Sequence, residues 1–260
     1  MKTTVIVYAP DGTRKGREIF ILNLRAEPVD GKRTKYTCEK FVYVNGDKIE
    51  KSIPSLSGWA YEFSIDNVNR SDSLVLGISH EPFEKLKDSD GNLLPADKSY
   101  FIYNSFIDFH AICDVFARET NGGNGIGNLK KIGDKIIHAA SNSKPAINLG
   151  SNVKEGSYFQ NGEVTLTLKG VGVVDKKLCA LVEYDSGESS FNMQMEPMPN
   201  FAIDTKGGSH YFGDIYVDLE TNWVAKADLS EFVVSETQIH SMKTKISTSV
   251  ERQLIIEMIE

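Results

Sequence analysis

HYFGDIYVDLETNWVAKAD, residues 210–228, is the stretch of this chain that most directly determines its fold. Apolar and polar side chains alternate on both sides of residues 220–222, as in two antiparallel strands joined by a three-residue loop. Asn222 tolerates the left-handed conformation that ends such a loop. That loop gives three apolar pairs across the hairpin: Leu219–Trp223, Val217–Ala225 and Ile215–Ala227. A slip of one residue would bury charges, so the pattern predicts a hairpin of defined register.

The segment just upstream predicts a second hairpin. A three-residue loop at 175–177 brings apolar residues of both strands together, in the pairs Val174–Leu178, Gly170–Val182 and Leu168–Tyr184. On the opposite face it places Lys169 across from Glu183, a favourable ion pair. Nearer the N-terminus, Asp30-Gly31 and Asn45-Gly46 are typical of tight turns between strands. No strand–helix–strand alternation occurs, so the sheet is predicted to be antiparallel.

One helix is predicted, over about residues 97–121, with Asp97 as N-cap and Gly122 just past its end. It carries an apolar stripe at helical spacing, formed by Ile102, Phe106, Phe109, Cys113 and Phe116. The glycine-rich stretch 121–127 follows. Its G-x-G-x-G spacing and its position after a helix differ from a dinucleotide-binding loop, so we interpret it as a connecting loop.

The fold class is therefore predicted to be mainly β. We expect a single β-rich domain over residues 1–260, with the helix at about 97–121, the Gly-rich loop at 121–127 and a C-terminal meander over about 157–259. Its long antiparallel sheet would curl into a half-open barrel, with the main α-helix packed on the concave face. In architecture alone, this arrangement resembles the half-barrels of lipoprotein-carrier proteins and related small-molecule-binding folds.

Composition and charge argue against a nucleic-acid-binding or membrane-spanning protein. The chain has 260 residues, and 29 basic against 36 acidic side chains give a net charge of −7. Residues 1–53 carry 11 Lys/Arg and 7 Asp/Glu, whereas residues 180–240 hold 11 acids and two lysines, so nucleic-acid binding is not expected. The sequence contains no apolar run long enough for a transmembrane segment. We expect a cytoplasmic protein, or an exported one whose leader has been removed. The three cysteines are predicted to be reduced thiols in the core.

A polar group on the first hairpin suggests chemistry. Parity places His210, Asp214 and Tyr216 on one face, with Asp214 directly opposite Asp228 and Lys226 lying diagonally between them. His210 would act as general base or acid, Tyr216 or Tyr211 would donate to an oxyanion, and Asp214 would orient the imidazole. The alternative is an ordinary solvated face. A hard-oxygen metal site that also uses Asp218 has less support, and no metal or cofactor is predicted.

A second set of residues suggests a ligand-binding wall. Phe191, Met193 and Met195 alternate on one strand, and thioethers suit irregular apolar surfaces. Phe106 and His110 on the helix, with Lys226, complete the predicted ligand-binding set. His110 and Asp114 share a helix face, which we interpret as a surface pair beside a buried, inert Cys113.

These patterns favour a small-molecule-binding protein that holds an apolar or amphipathic ligand in a hydrophobic cavity of the half-barrel. The first alternative is a cofactor-independent lyase, isomerase or hydrolase that uses the site around 210–214. The second is a structural or assembly protein. The expected partner is a small apolar or amphipathic molecule, and edge strands offer a route to a homodimer.

Overall fold

The computed structural model describes residues 1–46, 50–64, 74–118, 125–143 and 153–259. The strands in these ranges are β1 (Lys2–Tyr8), β2 (Arg14–Pro28), β3 (Arg33–Asn45), β4 (Lys51–Ser52), β5 (Ala60–Ser64), β6 (Leu74–Val75), β7 (Ile78–Ser79), β8 (Lys135–His138), β9 (Ser141–Ser143), β10 (Tyr158–Asn161), β11 (Val164–Val174), β12 (Lys177–Met198), β13 (Phe201–Asp218), β14 (Val224–Ile239) and β15 (Thr244–Glu257). Helix α1 spans Ala96–His110 and continues as a π-helix over Ala111–Phe116. Short 3-10 helices lie at Pro54–Leu56, Glu81–Phe83 and Ile126–Asn128.

Thirteen strands form one antiparallel sheet. The order along its main path is β4-β3-β2-β1-β15-β14-β13-β12-β10-β9, with β11 pairing β12 and β8, and β5 pairing β3. The path ends at β4 and β9, so the sheet is not closed into a barrel. β6 and β7 form a separate two-stranded ribbon. The predicted class, a mainly β protein with a long curled antiparallel sheet and one main helix, is confirmed.

The hairpin at 210–228 has the predicted register over most of its length. Asp214 faces Asp228 and Ile215 faces Ala227. Near the turn the prediction was wrong by one residue, because a bulge after Tyr216 pairs Val217 with Val224 instead of Ala225. The loop is one residue longer than predicted, because the Asp218 amide donates to the Trp223 carbonyl at 2.9 Å. The Asp218 carboxylate stabilises this loop, since it accepts hydrogen bonds from the Glu220 amide at 2.9 Å and the Thr221 hydroxyl at 3.0 Å. Asn222 has the expected positive φ, 59°.

The β11–β12 hairpin departs further from the prediction. Its turn has two residues, Asp175 and Lys176, with φ of 46° and 67°, and Val174 pairs with Lys177. Positive φ at both central residues defines a primed two-residue turn. An Asn-Gly pair in the sequence would indicate such a turn, whereas Asp175 and Lys176 do not. A bulge at Lys169 then shifts the pairing by one further residue, so that apolar residues of the two strands face each other again. The predicted ion pair is present, with Lys169 Nζ 3.3 Å from Glu183 Oε2.

The helix begins one residue earlier than predicted. Pro95 occupies the N-cap position, so the prediction of Asp97 as N-cap was wrong, and the fixed φ of proline suits the start of a helix. At the other end the hydrogen-bonding pattern widens to a π-helix from Ala111 onwards. The predicted end at Gly122, and residues 121–124 of the Gly-rich loop, lie outside the described residues.

Two apolar cores lie on the helix side of the sheet. The first core contains side chains of β11–β15 together with Ile112 and Cys113 of the π-helix. The second core contains side chains of β1–β3 and β5 together with Ile102 and Phe106 of α1. Phe109 packs against both cores, so the predicted apolar stripe of the helix joins the two halves of the sheet. All three cysteines are free and buried, as predicted. No helix in the described ranges is long and apolar enough to span a membrane.

Candidate functional site

Strands β12–β15 extend well beyond the two cores, and their helix-side face there stays apolar. We call this surface the distal face. Its apolar members are half-buried and belong to neither core: Phe191, Met193, Met195, Ile203, Val233 and Ile239. The register places them side by side, since Met195 faces Ile203 and Ile203 faces Ile239 on the next strand. The predicted wall of Phe191, Met193 and Met195 therefore lies within one apolar surface.

The alternation of the strands creates the distal face. Residues between the apolar positions point to the other side of the sheet, where Lys206 and Glu236 are exposed. Gly207 lies opposite Phe191, and a Cβ atom at Gly207 would come within 2.4 Å of Phe191 Cζ. The glycine therefore lets the phenyl ring lie directly over the neighbouring strand. Phe159 of β10 approaches the same ring, with centroids 5.8 Å apart.

Hydroxyl groups interrupt the apolar surface. The Thr205 and Thr237 hydroxyls are 3.0 Å apart, and those of Ser235 and Thr248 are 2.9 Å apart. Each pair satisfies itself across neighbouring strands, so these groups add little desolvation cost when a ligand covers them. The face offers apolar contact with a few adaptable hydrogen-bonding groups. This composition suits noncovalent binding of a mainly apolar molecule.

A layer of charged side chains separates the distal face from the cores. We call Arg252, Glu231 and Asp108 the charged layer. The Arg252 guanidinium donates from Nε to Glu231 Oε2 and from Nη1 to Asp108 Oδ2, both at 2.7 Å. Only 14–16% of each of the three side chains is exposed. Burial raises the pKa of Asp108 to about 6, and repulsion from Glu231 adds to the effect of burial while Arg252 opposes it. One guanidinium thus faces two carboxylates in a poorly solvated setting.

Tyr211 lies beside the charged layer. It faces Glu231 across the strands, and the Arg252 guanidinium carbon is 5.2 Å from its ring centroid. Its buried hydroxyl has no hydrogen-bond partner among the described residues. A buried hydroxyl without a partner is costly and needs an explanation. On the same face of β13 the next residue is Ser209, which leads onto the distal face.

The four predicted catalytic residues lie on two faces of the sheet. Tyr211 is on the helix side, whereas parity places His210, Asp214 and Tyr216 on the opposite, outer side. The His210 imidazole is 47% exposed, and its Nε2 lies 2.9 Å from Asp185 Oδ1. His210 is thus oriented by Asp185 and not by Asp214. The structure thus brings His210 and Asp185 together as a surface pair. Tyr211, one of the two tyrosines predicted to donate to an oxyanion, lies on the other side of the sheet.

Asp214 lies in a row of three carboxylates across the outer face. It faces Asp228 on one side and Glu183 on the other. Partial burial, followed by repulsion from Glu183, raises its pKa. Lys169 lies beside Glu183 and reduces the repulsion between the carboxylates at that end of the row. At the other end Gln253 donates a hydrogen bond to Asp228 at 3.3 Å. Within the described ranges, no group of three His, Cys, Asp or Glu side chains is placed to hold a metal ion.

The remaining predicted ligand residues lie elsewhere. Lys226 faces Tyr216 on the outer side. Phe106 is fully buried in the second core, stacked on Phe41 with centroids 6.0 Å apart. His110 is also fully buried, and its ring stacks on Phe63 at 4.1 Å. Of the six predicted ligand residues, only Phe191, Met193 and Met195 lie on the distal face, whereas Phe106 and His110 are buried together against Tyr61.

His110 takes part in a buried polar network that the sequence analysis placed at the surface. His110 Nδ1 is 2.7 Å from Asp114 Oδ2, and the Tyr61 hydroxyl is 2.6 Å from Nε2. Asp114 also accepts hydrogen bonds from Tyr36 at 2.9 Å and Arg118 at 3.1 Å. The prediction of a surface pair was wrong, because Tyr36 and Tyr61 of the sheet enclose it. Burial lowers the pKa of His110.

This network joins the helix to the sheet. An Nδ1–H donor to Asp114 leaves Nε2 as the acceptor for Tyr61, so every group has a partner and the imidazole is neutral. Among the described side chains, three aromatic rings surround the imidazole with ring centroids 4.1–5.2 Å away, and His110 is fully buried, so a substrate has no access to it. The i, i+4 spacing of His110 and Asp114 was the available signal. The missing information was the identity of the tyrosines that face them.

Comparisons with known proteins give little similarity. No family model matches the chain, and no curated protein matches it. A solved structure of a protein from Bacteroides fragilis NCTC 9343 with a YmcC-like fold is 10% identical, and the alignment covers 96% of this chain and 92% of that chain. Its TM-score is 0.25. At that score the similarity assigns neither fold nor function to this chain.

Proposed function

We propose that this protein binds an elongated, mainly apolar small molecule on the distal face. The observation that carries the proposal is the apolar row from Phe191 to Ile239, which continues past both cores and is only half-buried. Apolar surface of this kind gains roughly 25 cal/mol for each Å² that a ligand removes from water. Two methionines let the surface adapt to the shape of the ligand.

The position of the charged layer indicates how the ligand is oriented on the distal face. A ligand that lies along β13 from Ile203 towards Ser209 would bring its end to Tyr211. The hydroxyl of Tyr211 would then gain the hydrogen-bond partner that it lacks among the described residues. One arginine against two carboxylates leaves a net charge of −1, which disfavours an anionic end. The ligand is therefore an apolar molecule with a neutral or cationic polar group at one end.

Native mass spectrometry of the purified protein tests this proposal. We expect a bound species of a few hundred daltons that is lost on denaturation and extracts into organic solvent. Phe191→Ser should reduce its occupancy, since it removes an aromatic ring from the face. Phe232→Ser is the matched control, because Phe232 is 51% exposed on the outer side of the same sheet. Equal occupancy in both variants would contradict the proposal.

The enzyme alternative is tested by His210→Ala. His210 is exposed and outside the distal face, so we expect the variant to keep its bound ligand and a melting temperature within a few degrees of the wild type. Loss of the ligand, or of a turnover found for the wild type, would instead favour chemistry at His210.

The cytoplasmic or exported location stays a prediction, for which fractionation of the native cells is the measurement.

A further inference from the structure

Strand β11 has an open edge near the tip of its hairpin. Its first residues pair with β8 as far as Thr167, and Leu168 exchanges backbone hydrogen bonds with Gly133 and Asp134. From residue 169 to residue 174 the strand pairs only with β12 in the described part of the chain. An open edge with strand geometry is a template for pairing with another chain.

The backbone groups that face this open edge belong to Val171 and Val173. Val174 and Lys177 flank a two-residue turn and therefore form a hydrogen-bonded pair, so the next pair, Val173 and Leu178, does not share hydrogen bonds. The Leu178 carbonyl confirms this alternation, because it accepts from Leu219 on the other side of β12 at 3.0 Å. Val171 and Val173 consequently direct their N–H and C=O groups outwards.

The side chains at this edge are unusually apolar for an exposed strand. Val171 is 59% exposed, Val173 71% and Leu178 55%. Natural edge strands usually carry charges or prolines that prevent pairing. Here the residues between the valines are glycines, Gly170 and Gly172, and a Cβ atom added at either one would meet nothing within 4 Å. Among the residues that the structure describes, the edge thus combines unpaired backbone groups, exposed apolar side chains and no atom that would block a neighbour at either glycine.

We propose that a second copy of this chain pairs with this edge, antiparallel, about a twofold axis through Gly172. In this register Val171 faces Val173 of the second copy, so both outward valines form hydrogen-bonded pairs. Lys169, whose Nζ also contacts Glu183 of its own chain at 3.3 Å, then lies opposite Asp175 of the second copy, which supplies two charge-complementary contacts per dimer. A twofold axis through Val173 would place Val171 opposite Asp175, where the turn ends the strand, and one through Val171 would reach Leu168, whose backbone is already paired. The observed charges and hydrogen bonds therefore select one register.

The resulting contact is isologous and forms one continuous sheet through both copies. Its apolar part consists of Val171, Val173 and Leu178 from each copy, on the same side of the joined sheet. The contact is small, and small interfaces are weak. We expect a reversible dimer that is populated in the upper micromolar range and dissociates on dilution.

A disulfide trap tests the register directly. The twofold axis brings the two Gly172 Cα atoms to about 4.5 Å, within the range that a disulfide spans. Gly172→Cys, on a Cys179→Ala background because Cys179 faces Gly172 within the chain, should form a covalent dimer under mild oxidation. Gly170→Cys on the same background is the control, because its two copies would be about 13 Å apart. Neither glycine has a positive φ, so both positions accept cysteine.

Sedimentation equilibrium on the otherwise unmodified chain completes the test. We expect Val173→Pro, which removes one outward N–H and keeps the β12 ladder, to weaken dimerisation at least about tenfold. Val234→Lys is the control: it is 61% exposed, but its strand is paired on both sides, and it should leave the dimer unchanged. A chain that is monomeric up to about 1 mM, or cross-linking that is equal at residues 170 and 172, would overturn the proposal. So would a dimer that Val173→Pro does not weaken.

Discussion

Replacement of Arg252 by methionine is the sharpest test of the charged layer. Within the described part of the chain, Arg252 is the single cation that contacts Asp108 and Glu231, each at 2.7 Å. Methionine keeps much of the apolar stem of the side chain and removes its charge. Two carboxylates then face each other across the space that the guanidinium filled. Arg25 provides a matched control, since it also lies near two carboxylates, those of Glu27 and Glu39, but is 55% exposed.

The magnitude follows from burial. Breaking a buried ion pair by removing one partner costs about 3–5 kcal/mol, because an uncompensated charge stays in a poorly solvated place. A protein of this size loses about 2–4 °C of melting temperature per kcal/mol, so Arg252→Met should lower the melting temperature by about 6–20 °C. An exposed pair contributes about 0–1 kcal/mol, and Arg25→Met should shift the melting temperature by about 4 °C at most.

The loss should depend on pH in a defined direction. In the wild type the pKa of Asp108 is about 6, above its usual 3.8, so its contribution to stability is present at low pH and is lost as the pH rises through 6. Without Arg252 the pKa of Asp108 rises further, and protonation relieves the repulsion from Glu231.

Urea denaturation at pH 5 and at pH 8 measures this dependence. Arg252→Met should cost clearly more at pH 8 than at pH 5. A loss below about 1 kcal/mol that is the same at both pH values would refute the reasoning, since it would mean that water screens the layer.

Two further predictions concern the buried network and the distal face. Tyr61→Phe leaves the fully buried acceptor of His110 without its donor and should cost about 1–3 kcal/mol in urea denaturation, whereas Tyr8→Phe, whose acceptor Glu251 is only half-buried, should stay within about 0.5 kcal/mol. Similar losses in both variants would mean that the buried bond has no special weight. Gly207→Ala puts a Cβ within 2.4 Å of a backbone oxygen and the Phe191 ring, and should cost about 1–3 kcal/mol and weaken apolar-probe binding. An alanine at 207 with wild-type stability and binding would show that the ring is not held there.

The sequence predicts most of the fold because strand alternation carries long-range information. The pairing of Asp214 with Asp228 follows from the alternation together with the predicted loop, since a slip of one residue would bury charge. The turn at Asp175 and Lys176 could not be predicted, because nothing in these side chains signals two positive φ angles. The bulges at Lys169 and Tyr216 likewise depend on local hydrogen bonds, which leave no periodic pattern.

The candidate site was predictable in part. Alternation brought Phe191, Met193 and Met195 to one surface, because residues i and i+2 share a face of a strand. It could not show which polar residues come from distant strands. Arg252 and Glu231 meet through β14–β15 pairing, and Asp108 meets them only because the helix crosses that part of the sheet. For the same reason His110 was assigned to the surface although Tyr36 and Tyr61 enclose it.

A titration with N-phenylnaphthylamine, a neutral apolar dye whose fluorescence rises in apolar surroundings, tests the proposed function most directly. Loss of about 60 Å² of apolar contact, at about 25 cal/mol per Å², corresponds to a roughly tenfold weaker affinity. The distal-face proposal predicts saturable binding to protein freed of co-purified ligand, weakened about tenfold by Phe191→Ser and unchanged by Phe232→Ser. Absence of saturable binding, or a loss confined to Phe232→Ser, would contradict it.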